Sequence, residues 1–211
     1  MDSKQFIDEL RQVSLSSVFN PYRDVCRIHD HSESPAIRRL NLQLYLDKAV
    51  ECGMESVWLG RDIGYRGGRR TGIALTDEIH LEILERHFGI AGMTKTTIGE
   101  SFKEQTSTEV WKIIREVDAK VFLWNIFPFH PFKAGNSMSN RRHTTREFNE
   151  CKDLLICLLQ WLKPKKIIAL GADAHNALSR LGVKVSAVRH PSYGGHLKFA
   201  EAIRELYDQD K

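Results

Sequence analysis

Three side chains of complementary chemistry stand within or just after apolar runs of this 211-residue chain. They are Asp62 in "GRDIGYRGGRRTG", Asn125 in "FLWNIFPFHP" and His190 in "RHPSYGG". A carboxylate can orient a water or face a developing cation, and an imidazole can donate to a developing anion. The amide of Asn125 offers one donor and one acceptor side by side. Such a set suits cleavage of a bond whose leaving group departs as an anion and whose other half is left electron-poor. Around the acid stand Gly60, Arg61, Gly64 and Tyr65, then Arg66, Arg69 and Arg70, so a single carboxylate sits inside a loop built to attract anions. Taken alone, an aspartate in such a loop also serves as a helix cap or as the partner of one of those arginines.

Residues so far apart in the chain need a rigid frame to meet. Four short apolar runs, 56–60, 119–127, 165–171 and 183–188, read as buried strands. Helical patterns fill 36–52, with Leu40, Leu44, Tyr45 and Ala49 on one face, then 77–88, 108–117, 144–162, 172–181 and 197–208. Thr144 and Glu147 stand at capping-box spacing, and Phe148, Leu154, Leu155, Leu158 and Leu162 make an apolar stripe behind them. Strands alternating with helices predict the α/β class: a three-layer α/β/α sandwich around a short, mostly parallel four-stranded sheet. Residues 1–211 read as one domain, without internal repeat or linker, and 89–107 and 128–143 read as long loops. Ligands of open sheets sit at the carboxyl ends of the strands. That edge gathers Arg61, Asp62, Gly64 and Tyr65 after the first strand, Asn125, His130 and Asn136 on and after the second, and Arg189, His190, Pro191 and Ser192 after the fourth.

Composition narrows the setting. A net charge of +4 permits a polyanionic partner without demanding one. No apolar run reaches the roughly 18 residues of a membrane span, and the start of the chain, with Asp2 and Asp8, lacks the basic and apolar regions of a signal peptide. A cytoplasmic protein is expected. Cys26, Cys52, Cys151 and Cys157 form no CxxC pair and read as buried free thiols. The "HDH" at 29–31 reads as a surface loop, since no further ligand at metal-site spacing accompanies it.

The stretches "GRDIGYRGGRRTGIALT", "FLWNIFPFHP", "KPKKIIALGADA" and "RHPSYGG", in this order, resemble the uracil-DNA glycosylase superfamily over nearly the whole chain. The resemblance implies a DNA glycosylase that flips uracil or a related deaminated base out of DNA and hydrolyses its N-glycosidic bond, in base excision repair. It places Asp62 at the water-activating aspartate and His190 at the histidine that stabilises charge on the base. Asn125 falls on the asparagine that reads the base edge, with Gly60, Arg61, Gly64, Tyr65 and Leu75 around it. Leu75 stands where the family carries a stacking aromatic ring, and Gly64 where the strictest uracil enzymes carry a tyrosine that bars a 5-methyl group. Arg66, Arg69, Arg70, Arg141, Arg142 and Arg189 are expected to form a phosphate-contacting rim, together with Ser192. Tyr193 lies in the loop that fills the hole left by the flipped base.

The run "NRRHTTREFNECKDLLICLLQWLKPKKIIALGADA" is closest to the branch of that family that binds an iron–sulfur cluster. Of four expected cysteines only Cys26 and Cys151 match, and the other positions hold His29 and Phe129. No metal and no other cofactor is therefore expected. The chain is expected to act as a monomer on DNA carrying a damaged or deaminated base, away from membranes. The alternative is a catalytically weak or inactive member that binds nucleic acid through the same groove.

Overall fold

The computed structural model describes residues 2–209. In chain order its elements are α1 (Ser3–Gln12), β1 (Val18–Phe19), α2 (Ser34–Cys52), β2 (Ser56–Asp62), α3 (Gly68–Thr71), α4 (Leu81–Phe88), α5 (Gln105–Val117) and β3 (Val121–Phe127). There follow β4 (His130–Pro131), α6 (Thr145–Leu162), β5 (Lys166–Leu170), α7 (Ala172–Arg180), β6 (Ser186–Val188) and α8 (His196–Asp208). The strands β3, β2, β5 and β6 pair in that order, all parallel. From β2 the chain leaves toward β3, and β5 lies on the other side of β2, so a crevice for ligands opens where the two directions part.

Side chains that alternate along β2 and β3 sort the helices into two layers. Trp58 on β2 meets Phe199 and Tyr207 of α8, ring centres 5.9 and 6.3 Å away, and shares its face with Leu123, its register partner on β3. Trp124, on the opposite face, packs against Phe6 of α1, whose ring in turn packs on Trp161 of α6. The sheet is thus covered on both faces, as its almost uninterrupted apolar strands require. At the free edge of β3, Tyr45 of α2 donates its hydroxyl to the Val121 carbonyl at 2.7 Å and accepts the Leu123 N–H at 3.0 Å. The edge is closed instead of offering a template for another strand.

Several boundaries depart from the sequence reading. Strand β2 runs two residues past Gly60, so Asp62 is its last residue and shares the precision of the sheet. Residues 77–80 form a turn before α4 rather than its first turn, because Asp77 accepts the His80 N–H at 3.0 Å. The buried face of α2 is set by Leu42, Tyr45, Leu46 and Ala49, while Leu40 is half exposed. The cause is polar: Arg38 and Asn41 are wholly buried and donate to the carbonyls of Arg70 and Thr94, which turns the helix away from the purely apolar stripe. Thr144 and Glu147 do form the capping box of α6. Helix α1 falls outside the elements read from sequence, although Asp2 and Gln5 form a capping box ahead of the apolar Phe6, Ile7 and Leu10, whereas the two-residue strands of the β1–β4 ribbon are too short to show a period. No helix among the described residues is long and apolar enough to cross a membrane.

Candidate functional site

Parallel pairing of β2 with β3 sets Gly60 beside Asn125 and Asp62 beside Phe127, so these four residues share one face at the carboxyl edge of the sheet. Asn125 is buried, and its Nδ2 donates to the backbone carbonyl of Asp62 at 3.1 Å. Its Oδ1 is buried without a hydrogen-bond partner. Leaving such an acceptor unpaired costs about 1–3 kcal/mol, which a donor brought by a ligand would recover. The amide fits here because residue 60 has no side chain: a Cβ on Gly60 would stand 2.6 Å from Asn125 Nδ2 and 3.2 Å from Leu75 Cδ2. Leu75, buried beside them, is held in the left-handed backbone region at φ 54°. Non-glycine residues kept there tend to mark functional sites. The loop between them is pinned at Gly72, whose φ of 78° and whose 2.7 Å approach to Arg38 Cβ admit no side chain.

The carboxylate of Asp62 is held from both sides. Arg61 Nε reaches Oδ2 at 2.5 Å, while Oδ1 receives the His143 N–H at 3.4 Å and the ring nitrogen Nδ1 of His143. The imidazole of His143 stacks on Phe127, centroids 5.0 Å apart, and on Phe148 at 5.7 Å. Arg61 spans the crevice, with Nη1 on Asp173 of α7 at 2.6 Å, and Arg142 approaches the other oxygen of Asp173 at 3.5 Å. The Arg61 hydrogen bond, ahead of the opposing effect of burial, holds the Asp173 carboxyl below its ordinary range. Neither His143 nor Asp173 was singled out in the sequence. Asp173 follows the third strand at the edge where ligands gather, and that rule could have marked it.

His190 follows β6 and is pressed well below the usual imidazole range, to about 4, by burial and by Arg61 and Arg189. Its Nδ1 accepts the Ser192 N–H at 3.2 Å and lies 2.8 Å from Ser192 Oγ. With Nδ1 used as an acceptor, the pattern assigns the ring proton to Nε2. A neutral donor is therefore in place at pH 7. Ser192 thus serves this histidine.

The arginines divide. Arg69 and Arg70 are buried, at 3% and 5% exposure, which corrects their expected place in the rim. Arg69 lies over the Phe19 ring at 4.0 Å and meets His130 Nδ1 at 3.0 Å, and Arg70 pairs with Glu78 Oε2 at 3.0 Å and donates to Thr97 Oγ1. A guanidinium enters an interior when its planar fork finds acceptors and a ring, and both do. Arg141 is tied to Glu147 at 2.6 and 2.9 Å and to the carbonyls of Ser17 and Phe132, so it too is a strut. Arg66, Arg142 and Arg189 are exposed. Arg66 rests over Tyr65 and Phe102 at the loop surface. Tyr193 is 95% exposed with φ 51°, and Gly64 and Tyr65 are half-buried in the loop 64–67. Of the "HDH" stretch, Asp30 is not a surface residue: its carboxylate is buried on Arg38 Nη2 at 2.5 Å and accepts the Cys26 N–H.

The residues at the four cluster positions do not fit an iron–sulfur centre. Phe129 is fully buried against Phe127 at 5.4 Å and offers no ligating atom. Cys26 Sγ accepts from Arg69 Nη2 at 3.4 Å. Burial, with Glu147 and Glu150, pushes the Cys151 thiol up to about 12, opposite to what a thiolate ligand needs. Among the described residues no three His, Cys, Asp or Glu side chains converge. None of the four cysteines is joined in a disulfide, Cys26 and Cys151 being buried and Cys52 and Cys157 partly so.

The family model described as the uracil DNA glycosylase superfamily matches residues 65–208, a span that includes Asn125 and His190 and begins three residues after Asp62. Over 98% of both chains, the fold is similar to the crystal structure of wild-type Pedobacter heparinus SMUG2, at 16% identity and a TM-score of 0.64. No curated protein sequence matches.

Proposed function

This chain belongs to the uracil DNA glycosylase superfamily, and we propose that it hydrolyses the N-glycosidic bond of uracil or a related deaminated base in DNA, after flipping that base from the duplex. The observation that carries the reading is the buried, unpartnered Oδ1 of Asn125, on the same face as Asp62 and two residues before Asp62's register partner Phe127. An N3–H of a pyrimidine dione satisfies that oxygen. The second N–H of the amide is left to donate to a neighbouring carbonyl.

As the C1′–N1 bond lengthens, its electron pair leaves with the base and charge gathers on the base oxygens. His190 donates from Nε2 to that charge, and its low proton affinity keeps it neutral, so that it stabilises the anion without protonating it. Asp62 faces the electron-poor sugar and orients the water that adds to C1′, accepting its proton as the C–O bond forms. Arg61 and His143 fix the carboxylate for that task. Arg66, Arg142 and Arg189 hold phosphates at the rim, the exposed remainder of the six arginines first considered. Flipping costs a few kcal/mol, least at a mismatch, so mismatched bases are preferred.

A second reading, binding without efficient catalysis, has its own support. Both oxygens of Asp62 are already engaged, and Leu75 gives up the stacking of about 1–3 kcal/mol that an aromatic ring supplies to a base. The two readings part in one assay. Oligonucleotides carrying uracil, hypoxanthine, xanthine or a thymine mismatch are incubated with the protein and scored for alkali-labile abasic sites, and in parallel for binding. Turnover on a deaminated base supports the enzyme; tight binding with no abasic product on any oligonucleotide rejects it.

A further inference from the structure

A cavity of about 530 Å³ opens between α4 and α5, and its wall holds a histidine for which the reaction above has no use. His80 is 5% exposed, with Nδ1 2.6 Å from Asp77 Oδ1. Asp77 is wholly buried and also accepts the backbone N–H groups of His80, at 3.0 Å, and of Glu104, at 2.5 Å. The ring is therefore fixed through Nδ1. Its Nε2 has no hydrogen-bond partner among the described residues.

The opposite wall is α5, which presents Thr108, Lys112 and Arg115 at successive turns of one face. Lys112 and Arg115 have no ion-pair partner among the described residues. The one acid in the wall, Glu116, is bound by Arg204, with Nη2 on Oε2 at 3.0 Å. Lys112, Arg115 and a buried imidazole thus converge on a space whose lining acid among the described residues, Glu116, is held by Arg204 and lies within the field of Lys112.

We propose that this cavity binds a phosphate-sized oxyanion, with Lys112 and Arg115 supplying charge and His80 donating from Nε2 while Asp77 holds the other ring nitrogen. A cation is excluded by the same charges that attract the anion. The volume lies within the roughly 300–1,000 Å³ of small-molecule sites, so the anion can arrive free or as a phosphate monoester carrying an organic group.

Sulfate is the first probe, because its charge does not change between pH 5 and 8. Full-length protein labelled at histidine nitrogens is titrated with sodium sulfate against a chloride control of equal ionic strength. The expected result is a saturable perturbation of the His80 ring resonances. Lys112→Ala with Arg115→Ala, both on the exposed side of α5, is expected to weaken this at least tenfold with melting temperature held. No saturable shift, or a shift that the double variant leaves unaltered, overturns the proposal. Inorganic phosphate and a nucleoside 5′-monophosphate are then compared in the same titration: tighter monoester binding, lost in the double variant, identifies the organic form as the ligand, and equal binding identifies the free anion.

Discussion

The imidazole of His143 and the carboxylate of Asp62 are joined across 81 residues of sequence, Nδ1 on Oδ1, with the His143 backbone N–H on the same oxygen. Stacking on Phe127 and Phe148 fixes the plane of the ring, so the carboxylate is oriented by a group that cannot swing away. Arg61 does the same for Oδ2. Asp62 is thus aimed by its neighbours more than by its own rotamer.

Replacing His143 by Ala is expected to lower kcat/KM for excision by about 10²-fold, the scale on which misplacing a reacting group by an ångström acts. His143→Asn, which keeps a donor near Oδ1, is expected to recover a substantial part. Asp62→Asn is expected to lose more, about 10² to 10⁴, with DNA binding unchanged or tighter as a carboxylate near phosphate is neutralised. Single-turnover rates and Kd for the three variants check this. Wild-type rates in Asp62→Asn would remove the acid from the mechanism.

Gly60→Ala tests whether Asn125 reads the base. The added methyl would meet Asn125 Nδ2 at 2.6 Å and Leu75 Cδ2 at 3.2 Å. The amide must then tilt from the Asp62 carbonyl, at a stability cost of about 1–3 kcal/mol typical of overpacking. KM for the oligonucleotide, governed mainly by phosphates, is expected to change little while kcat falls. A crystal structure with Asn125 unmoved and kcat intact would separate Asn125 from the chemistry.

The arginines make opposite predictions according to burial. Arg66→Ala with Arg142→Ala is expected to weaken binding to every sequence and to lower the log–log salt slope by up to about 1.8, at roughly 0.9 per phosphate contact. Arg70→Ala leaves Glu78 buried without its partner and is expected to destabilise by about 3–5 kcal/mol. Urea unfolding and salt titrations of the two variants distinguish a rim residue from a strut.

That division shows what was legible in the sequence. Asp62 and His190 follow apolar runs and Asn125 interrupts one near its carboxyl end, and a parallel sheet brings such positions to one edge whatever the loops do. Burial of Arg69 and Arg70 depends on Phe19, Glu78 and Thr97, which no local pattern ties to them, so the loop read as a row of exposed cations. His143 escaped for a related reason: its role rests on Phe127 and on the exit of β2, both in other parts of the chain. Polar anchors likewise turned α2, where Arg38 and Asn41 outweighed Leu40.

Stability is expected to fall on acidification through two histidines. Burial, followed by Arg69 for His130 and by Arg61 and Arg189 for His190, lowers both to about 4 from an ordinary 6.5. Between those values the unfolded chain binds protons that the folded one refuses, so unfolding free energy decreases as pH falls, by at most about 1.4 kcal/mol per pH unit per histidine. Above 6.5 neither contributes a slope. His190→Asn is expected to reduce the slope between pH 6 and 4.5 by up to that amount, measured by urea unfolding. An identical slope in the variant would mean that His190 titrates normally.

The last expectation concerns Tyr193, which projects from the loop after His190 with 95% of its surface exposed. Its backbone is held at φ 51°, a conformation costing a non-glycine residue about 1–3 kcal/mol, and Gly194 follows at φ 73°. A large ring kept in the open under strain suits insertion into the space vacated by a flipped nucleotide. Leu197, on the first turn of α8 and 72% exposed, is the other apolar side chain nearby in sequence. Tyr193→Ala is expected to slow excision from a paired duplex at least tenfold while leaving single-stranded substrate nearly unaffected, since only the duplex has a hole to fill. Tyr193→Gly, which removes the Cβ that strains this backbone, should raise the melting temperature slightly, whereas Tyr193→Ala keeps the strain. Equal losses on both substrates would place Tyr193 in substrate binding at large, and a duplex-specific loss in Leu197→Ala alone would make Leu197 the wedge.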